Sequence, residues 1–500
     1  MYKRQVYYII ESVHEKGLLY TGSDCGLVHI TRNGGAEWKN ITPPGLEECS
    51  IHAIEVSPHD KGTVYIAANR YKFNDFRNFA FKSTDYGATW KKIGDDIAKD
   101  DFFNVIREDK KQKGLLYAGA ERGFYISFDG GDHFHAFQSN LPKVRITDLT
   151  IQDNSLAAST AGRAFWVLDD LSTLQQSKGK FDASFNLYEP KPQYRLPATP
   201  PFFLITEHAF GQNPVDGAAI QYYISDTSGN KELKLEIYTE SGEMIRSYTG
   251  KKGLVSTAAE GDRGNLAVAN VDTPSIQIGL NTFVWDFRTQ GLEKMKEFIQ
   301  EADYRGYRVS PGTYKAKMTY GKDTKEVPII IMDPPTVKVP ASMWTLQQSI
   351  QKNLTTRIRE IQSSMKSSIA INQQLDQIDE RIKSEPNNED LITKRNQLTE
   401  KLKAWQTQVV ELRQKGFQDA LNWPAGIISE FFFVRANLDT YEPAVPKGYL
   451  ERIQDLESNW IEKQKTFDQI MNTEVRAFNE LFKQKNLPLL NVVKKGEVKP

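Results

Sequence analysis

Ser83-Thr84-Asp85-Tyr86-Gly87-Ala88-Thr89-Trp90 recurs twice in variant form, as Thr31-Arg32-Asn33-Gly34-Gly35-Ala36-Glu37-Trp38 and as Ser127-Phe128-Asp129-Gly130-Gly131-Asp132-His133-Phe134. Each copy follows a similar β-rich run: Gly17-Leu18-Leu19-Tyr20-Thr21-Gly22, Gly62-Thr63-Val64-Tyr65-Ile66-Ala67 and Gly114-Leu115-Leu116-Tyr117-Ala118-Gly119. The motif reads Ser/Thr-x-Asp/Asn-x-Gly-x-x-Trp/Phe, and each part has a mechanical reason. The Asp85, Asp129 or Asn33 side-chain oxygen can accept backbone N–H groups of its own turn. The glycine supplies a positive φ, and Trp38, Trp90 or Phe134 can pack between neighbouring sheets.

The repeat length, roughly 44 to 52 residues, is that of one four-stranded blade of a β-propeller. In the second blade, His52 to Pro58 reads as the inner strand and Thr63 to Asn69 as the next. Phe79 to Thr84 is then the third and Trp90 to Ile93 the outer one, so the motifs join third to outer strands. A fourth unit keeps Ile146 to Gln152, Leu156 to Thr160 and Ala164 to Leu168 but has neither motif nor outer strand. Such a blade is expected where the other end of the chain donates the last strand and removes a sheet edge. Met1-Tyr2-Lys3-Arg4-Gln5 resembles the translated tail of a transposase sequencing adapter, so the natural start, with any signal peptide, is expected upstream. Residues 1–180 are therefore expected to be the closing arc of an incomplete propeller.

Residues 181–201, with Pro190, Pro192, Pro197, Pro200 and Pro201, read as a linker too proline-rich to pair as central strands. From 202 to 335 short strands alternate with turns, as in an Ig-like β-sandwich; the clearest are Leu233–Tyr238, Gly279–Asp286 and Val309–Met318. After Pro335 the period becomes helical. Ile350, Leu354, Ile358, Ile361 and Met365 form one stripe, and Leu391, Leu398, Leu402, Trp405 and Val409 another. Pro386 between them predicts an antiparallel hairpin. A third helix from about Lys447 to Lys485 completes a bundle over 341–490, and Trp423 to Phe433 reads as an apolar buried loop. The fold class is thus mostly β, with a helical C-terminal part whose stripes are bundle core or, alternatively, a partner-binding surface.

Lys+Arg and Asp+Glu each number 64, so no net charge points to nucleic acid or an anionic membrane as partner. No apolar run is long enough for a spanning helix. Two cysteines, Cys25 and Cys49, exclude a disulfide scaffold and a Cys-rich metal site but leave one bond open. His52, His59, His133 and His135 do not cluster with acids at metal-ligand spacing, and no phosphate loop, dinucleotide fingerprint or serine elbow occurs. No metal and no cofactor are expected.

Over nearly the whole chain the order of motifs resembles large bacterial BNR/Asp-box repeat proteins with a sortilin-like propeller, usually labelled glycosyl hydrolases. The resemblance rests on Asp24-Cys25-Gly26, Asp85-Tyr86-Gly87, Val105-Ile106-Arg107-Glu108-Asp109, Ser127-Phe128-Asp129 and Gly162-Arg163-Ala164-Phe165-Trp166, followed by sandwich and hairpin. It implies an exported, periplasmic or cell-surface protein, whereas the hydrolase label reflects likeness to sialidases and xyloglucanases. Cys25, where an acid is typical, and Asn33, where Asp is typical, depart from the pattern.

Propeller geometry puts ligands on the face of the second-to-third-strand loops, opposite the Asp-boxes, so Asn33, Trp38, Asp85, Trp90, Asp129 and Phe134 read as scaffold. That face is expected to carry Arg70, Tyr71, Arg122 and Arg163 as ligand-binding residues. Three arginines at matching positions suit a carboxylate clamp, or else pair with loop acids as salt bridges. Asp24, Asp75 and Glu121 are the carboxylates a glycosidase could use there. The expected function is binding of a glycan or protein ligand; the rival is a sialidase- or xyloglucanase-like hydrolase.

Overall fold

The computed structural model describes residues 5–180, 183–196, 216–253, 273–298, 300, 302–335, 338–416, 419, 421–423, 426–440, 443–485, 487 and 489–491. Most of the adapter-like start, Pro197, Pro200 and Pro201 of the expected linker, and sandwich positions 202–215 and 254–272 lie outside these. The chain is mostly β with C-terminal helices and divides into two compact units, 1–191 with 221–226 and 278–280, and the remainder.

The first unit opens with β1 (Val6–Glu11), β2 (Leu19–Ser23), β3 (Val28–Thr31) and β4 (Lys39–Asn40), hydrogen-bonded in that order. β5 (Ser50–Val56), β6 (Val64–Arg70), β7 (Asp75–Ser83) and β8 (Lys91–Ile93) repeat the pattern. So do β9 (Phe103–Glu108), β10 (Leu116–Ala120), β11 (Phe124–Ser127) and β12 (His135–Ala136). A fourth sheet holds β13 (Ile146–Gln152), β14 (Ser155–Thr160) and β15 (Phe165–Leu168), followed by α1 (Ser172–Ser177). Alternation along these strands buries one row from each sheet against the next. Tyr65, Ala67 and Ala80 join Val105, Tyr117 and Phe124 in one cluster that extends to Leu149 and Leu156.

The three motif turns are near copies. The hydroxyls of Thr31, Ser83 and Ser127 donate to Asn33, Asp85 and Asp129 at 2.9, 2.8 and 2.8 Å. The same side chains accept the N–H four residues on, from Glu37, Thr89 and His133, at 2.9, 2.8 and 2.9 Å. The next residue after each acid or amide has positive φ and bonds back to the first hairpin: Gly34 to Gly17, Tyr86 to Gly62 and Gly130 to Gly114. The second glycine is required twice over. Gly87 has φ +84°, and a Cβ there would sit 2.5 Å from Ile41 of the preceding sheet.

The fourth sheet has three strands and no complete motif turn, as expected, but it keeps one bond of that turn. Leu171 N bonds Asn154 O at 3.0 Å in the equivalent place, and Asp170 stands where the other turns have Asp or Asn. Leu171, however, has φ −89°. Ser172 stands where the other turns have Gly35, Gly87 and Gly131 at positive φ, so the chain enters α1 instead, and Asp170 accepts Ser172 N at 2.9 Å. β15 consequently lies at a sheet edge among the described residues, with Phe165 79% exposed.

Histidines stitch the sheets at one end. His14 Nε2 meets Ser57 O at 3.0 Å, and His59 Nε2 meets Asp109 O at 2.7 Å. Arg107 does the same for the inner strands. Its guanidinium reaches Tyr8 Oη (3.2 Å), Glu55 (3.5 Å), Asp148 (2.8 Å) and Leu149 O (2.9 Å), one residue or more on each of the other three inner strands.

The expected linker is corrected in part, because it contributes two short strands on either side of Pro190. β16 (Phe185–Leu187) pairs with residues 222–224 at the end of the strand Ala218–Ile224, and β17 (Gln193–Tyr194) lies parallel to Gln193's partner strand at Ile331 and Met332. Both prolines, Pro190 and Pro192, stay outside the ladders, so no pairing donor is lost.

The second unit contains β18 (Ala218–Ile224) in part, β19 (Leu233–Thr239), β20 (Met244–Thr249), β21 (Lys251–Lys252), β22 (Ser275–Ile276), β23 (Gly279–Trp285) in part, β24 (Gly312–Tyr320) and β25 (Asp323–Met332). Its five-stranded sheet has the order β17-β25-β24-β19-β20. Alternate residues Leu233, Leu235, Ile237, Tyr314, Ala316 and Met318 are buried, with Trp285 edge-on to Phe287 and Tyr314.

The helices are α2 (Ala341–Gln377), α3 (Asp379–Ser384), α4 (Glu389–Val409), α5 (Ile427–Thr440), α6 (Lys447–Gln469) and α7 (Arg476–Gln484), the last two joined by a π turn at Ile470–Val475. α5 corrects the expected loop. Phe431 and Phe432 point inward with Ile428 and Val434, giving an apolar segment with no clear polar stripe, which periodicity alone does not mark as helical. Gln347 and Gln351 of α2 donate to Leu438 O and Arg435 O of α5, and Asp439 binds Arg288 at 2.6 Å.

Candidate functional site

The antiparallel order of each sheet puts the loop between its second and third strands at the opposite end from the box turn. In the second sheet that loop is Tyr71 to Asn74, between the paired ends Arg70 and Asp75; it folds as a single 3-10 turn at Tyr71–Phe73 and reverses at Asn74, φ +59°. The loop and the start of β7 after it present three partly exposed rings: Tyr71 is 38%, Phe73 51% and, on β7, Phe76 42% exposed. Phe102, fully buried, lies beneath two of them, its ring parallel to Tyr71 (centroids 6.4 Å apart, 5° between planes) and stacked with Phe76 at 6.4 Å.

The loop is held by charge. Arg70 binds Glu47 at 2.7 Å, Asp75 at 3.2 Å and Glu48 O at 2.7 Å, with its guanidinium 5.1 Å from the Phe73 ring centre. Arg77 forks onto Asp75 at 2.9 and 2.7 Å. The Arg77 hydrogen bond, with Arg70 adding to it, holds the Asp75 carboxyl down at about 2.

A polar chain crosses from this loop to the next two sheets. Asn69 donates to Asn104 (3.3 Å), Asn104 to Glu121 (3.4 Å), and Arg145 meets Glu121 at 3.3 Å. The Arg145 guanidinium in turn lies 5.7 Å from the Tyr71 ring centre. His52 completes the rim: its ring is edge-on to Tyr7 at 5.3 Å. Burial, and then the positive charges of Arg145 and Lys72, lower its proton affinity to about 4, so it is neutral at physiological pH.

The structure thus joins Arg70, Tyr71 and Asp75 at one loop, and links Tyr71 to Glu121 through Arg145. The other expected residues stand apart. Asp24 accepts Gln5 N at 3.0 Å, Arg122 pairs with Asp100, and Arg163 donates to Gly162 O at 3.0 Å. No contact of Arg122 or Arg163 among the described residues reaches the aromatic loop. The salt-bridge alternative therefore describes Arg70 and Arg122, while Arg163 has no carboxylate partner among the described residues. The sequence reading passed over Phe73, Phe76, Phe102, Arg145 and Asn104. The signal available was Tyr71-Lys72-Phe73-Asn74-Asp75-Phe76, three aromatics within six residues.

The box residues have no such openness to chemistry. Hydrogen bonds from Thr89, side chain and backbone, hold Asp85 at about 2, and Trp90 donates its indole N–H to Ile41 O of the preceding sheet at 2.7 Å. Phe134 is buried against Phe103 at 4.7 Å. Trp38, with no sheet before its own among the described residues, is 43% exposed. Among the described residues no group of three His, Cys, Asp or Glu is arranged to hold a metal.

The solved structures similar to the chain are β-propeller-like proteins. YCF48 from Cyanidioschyzon merolae is 14% identical over 33% of this chain and 53% of its own, with a TM-score of 0.25. A second structure, YCF48 bound to D1 peptide, gives 13%, 33%, 54% and 0.27. The GH74 xyloglucanase from Xanthomonas campestris is 13% identical over 65% of this chain and 47% of its own, with a TM-score of 0.25. The chain spans about half the length of each. No family model and no curated protein sequence matches it.

At the opposite end of the unit a cavity of about 230 Å³ is lined by Asp109, Lys110, Asp153, Asn154 and Gln175 among others. Asp109 is fully engaged there, by Lys111 N, Gln112 N, Tyr117 Oη and Gln175 Nε2, so it reads as structural. No described helix is long and apolar enough to cross a membrane.

Proposed function

We propose that the first unit is a set of BNR/Asp-box propeller blades that binds a glycan or polypeptide on the face opposite the boxes. The observation that carries this reading is the aromatic cluster of Tyr71, Phe73 and Phe76, whose rings are left partly in water, Tyr71 and Phe76 over a buried Phe102 and Phe73 beside Arg70. Exposed rings held in one place are costly to leave bare and well suited to stack on a sugar face or an apolar side chain. Arg70, Arg77 and Arg145 are each matched by a carboxylate, so the surface favours a neutral ligand over the carboxylate of a sialoside. The second unit, read as an Ig-like sandwich with a helical bundle, spaces or anchors this face, and the helices could carry a partner. An exported, periplasmic or cell-surface location fits the same reading.

A glycoside hydrolase is the second reading, and Glu121 is the observation that keeps it, since it alone of the three candidate carboxylates lies in the polar chain under the aromatic loop. Its difficulty is the acid. A glycosidase pairs an ionised carboxylate with one kept protonated near neutrality. Asp75 is held at about 2 and Glu121 faces Arg145. Glu55 is raised to about 7 by burial, but it is spent on Arg107 among the inner strands.

The test is a glycan and peptide array probed with the wild-type chain and with Phe73→Ala/Phe76→Ala. Binding that the double variant loses supports the reading, and binding that it keeps overturns the site. Release of sugar from a polysaccharide and sialoside panel, abolished by Glu121→Gln, would replace the binding reading by the hydrolase one.

A further inference from the structure

We infer that Cys25 and Cys49, both free thiols here, form a reversible disulfide that staples the β2–β3 turn to the segment entering β5. This inference rests on the geometry of the first two sheets and not on the identity of any ligand. Cys25 is half-buried in the turn after β2, and Cys49 is buried immediately before β5. The two segments run against each other: Ser50 Oγ donates to Asp24 O at 3.5 Å, and Gly26 touches Cys49 directly. A Cβ at Gly26 would be 2.9 Å from Cys49 Sγ and 3.2 Å from Cys49 N. Gly26 also has φ +90°, so glycine is needed both for the turn and for this approach. Cys25 is one peptide step, ~3.8 Å, from that glycine. A disulfide needs α-carbons ~4.4 to 6.8 Å apart.

The chemistry balances with a low-molecular-weight disulfide such as oxidised glutathione as oxidant. The Cys25 thiolate, the more exposed, attacks one glutathione sulfur; that S–S bond breaks and a glutathione thiolate leaves, taking the proton Cys25 gave up. Cys49 then loses its proton and attacks the Cys25 sulfur, expelling the second glutathione thiolate, which takes that proton. Two protein thiols are oxidised and one glutathione disulfide is reduced. Burial pushes the Cys49 thiol up to about 12, against the pull of Arg70, so the second step is the slow one. The consequence is local to the rim. Glu47 and Glu48 O, which hold Arg70, immediately precede Cys49, so the staple would fix the segment on which the aromatic loop leans.

The folded full chain is incubated with oxidised glutathione, alkylated with iodoacetamide and weighed intact and as peptides. The expected product has lost two hydrogens, takes up no iodoacetamide and yields one Cys25–Cys49 peptide. Its melting temperature should rise by about 5 °C and return on reduction. Cys49→Ala should stop at a glutathione adduct on Cys25, and Cys25→Ser should leave Cys49 unmodified while folded. Glutathione retained on Cys25 of the wild-type chain, or both thiols alkylated, overturns the inference. So does a disulfide that appears only after heat unfolding.

Discussion

The box turns and the rim loops sit at opposite ends of the same strands, and they differ in how far their copies agree. Three box turns repeat the same bonds from a hydroxyl and a backbone amide to the Asn33, Asp85 or Asp129 side-chain oxygen within 0.1 Å of one another. Three of the four rim loops share one backbone bond, from Asp24, Glu121 and Ala161 N to the carbonyl before the inner strand, but their lengths and side-chain contacts differ. One is a plain turn around Asp24, one a four-residue loop with aromatics at Tyr71 and Phe73, one a tight turn at Glu121–Arg122, and one ends in the exposed Arg163. Repetition is what a scaffold needs, because each turn solves the same problem of reversing a chain between sheets. Divergence is what a ligand surface needs, because each loop meets a different part of the ligand.

The largest way to break this contrast is at a box. Gly87→Val combines a disfavoured φ with a clash on Ile41 and should cost about 2–4 kcal/mol in a denaturant melt, yet leave binding per folded molecule unchanged. A box variant that binds weakly while fully folded would blur the division.

His52 tests the rim through pH. An unfolded histidine takes up its proton near pH 6.5, whereas His52 resists until about 4. Stability is therefore lost as pH falls through that interval, by about 1–3 kcal/mol. Thermal melts of wild type and His52→Gln between pH 7 and 4 should converge as pH drops. A constant gap would mean that His52 is not held neutral.

The smallest effect is expected at Arg122. Its pair with Asp100 is exposed, so Arg122→Ala should change stability by about 0–0.5 kcal/mol and leave affinity alone. A tenfold affinity loss would restore the three-arginine clamp.

The same contrast explains what could be read from the sequence. The boxes and the β-rich runs before them are local and repeated, so spacing exposed them. Asp170 escaped because its turn lacks the glycine that gives the motif its outline, and α5 because Phe431 and Phe432 belong to a segment without a polar face. The rim was legible only as a direction. Arg70, Tyr71 and Asp75 could be placed together because they fall at one second-to-third-strand connection, while Phe102, Asn104 and Arg145 reach that connection from other sheets, and nothing local announces that.

The central claim is that ligand is held by the aromatic loop and not by the boxes. The most direct measurement is a titration of the best array hit into wild type, Phe73→Ala/Phe76→Ala and Asp129→Asn by calorimetry. The account predicts about a tenfold or greater loss of affinity for the aromatic double variant with its melt nearly unchanged, and wild-type affinity for Asp129→Asn. Equal affinity in wild type and the double variant, or a loss confined to Asp129→Asn, would contradict it.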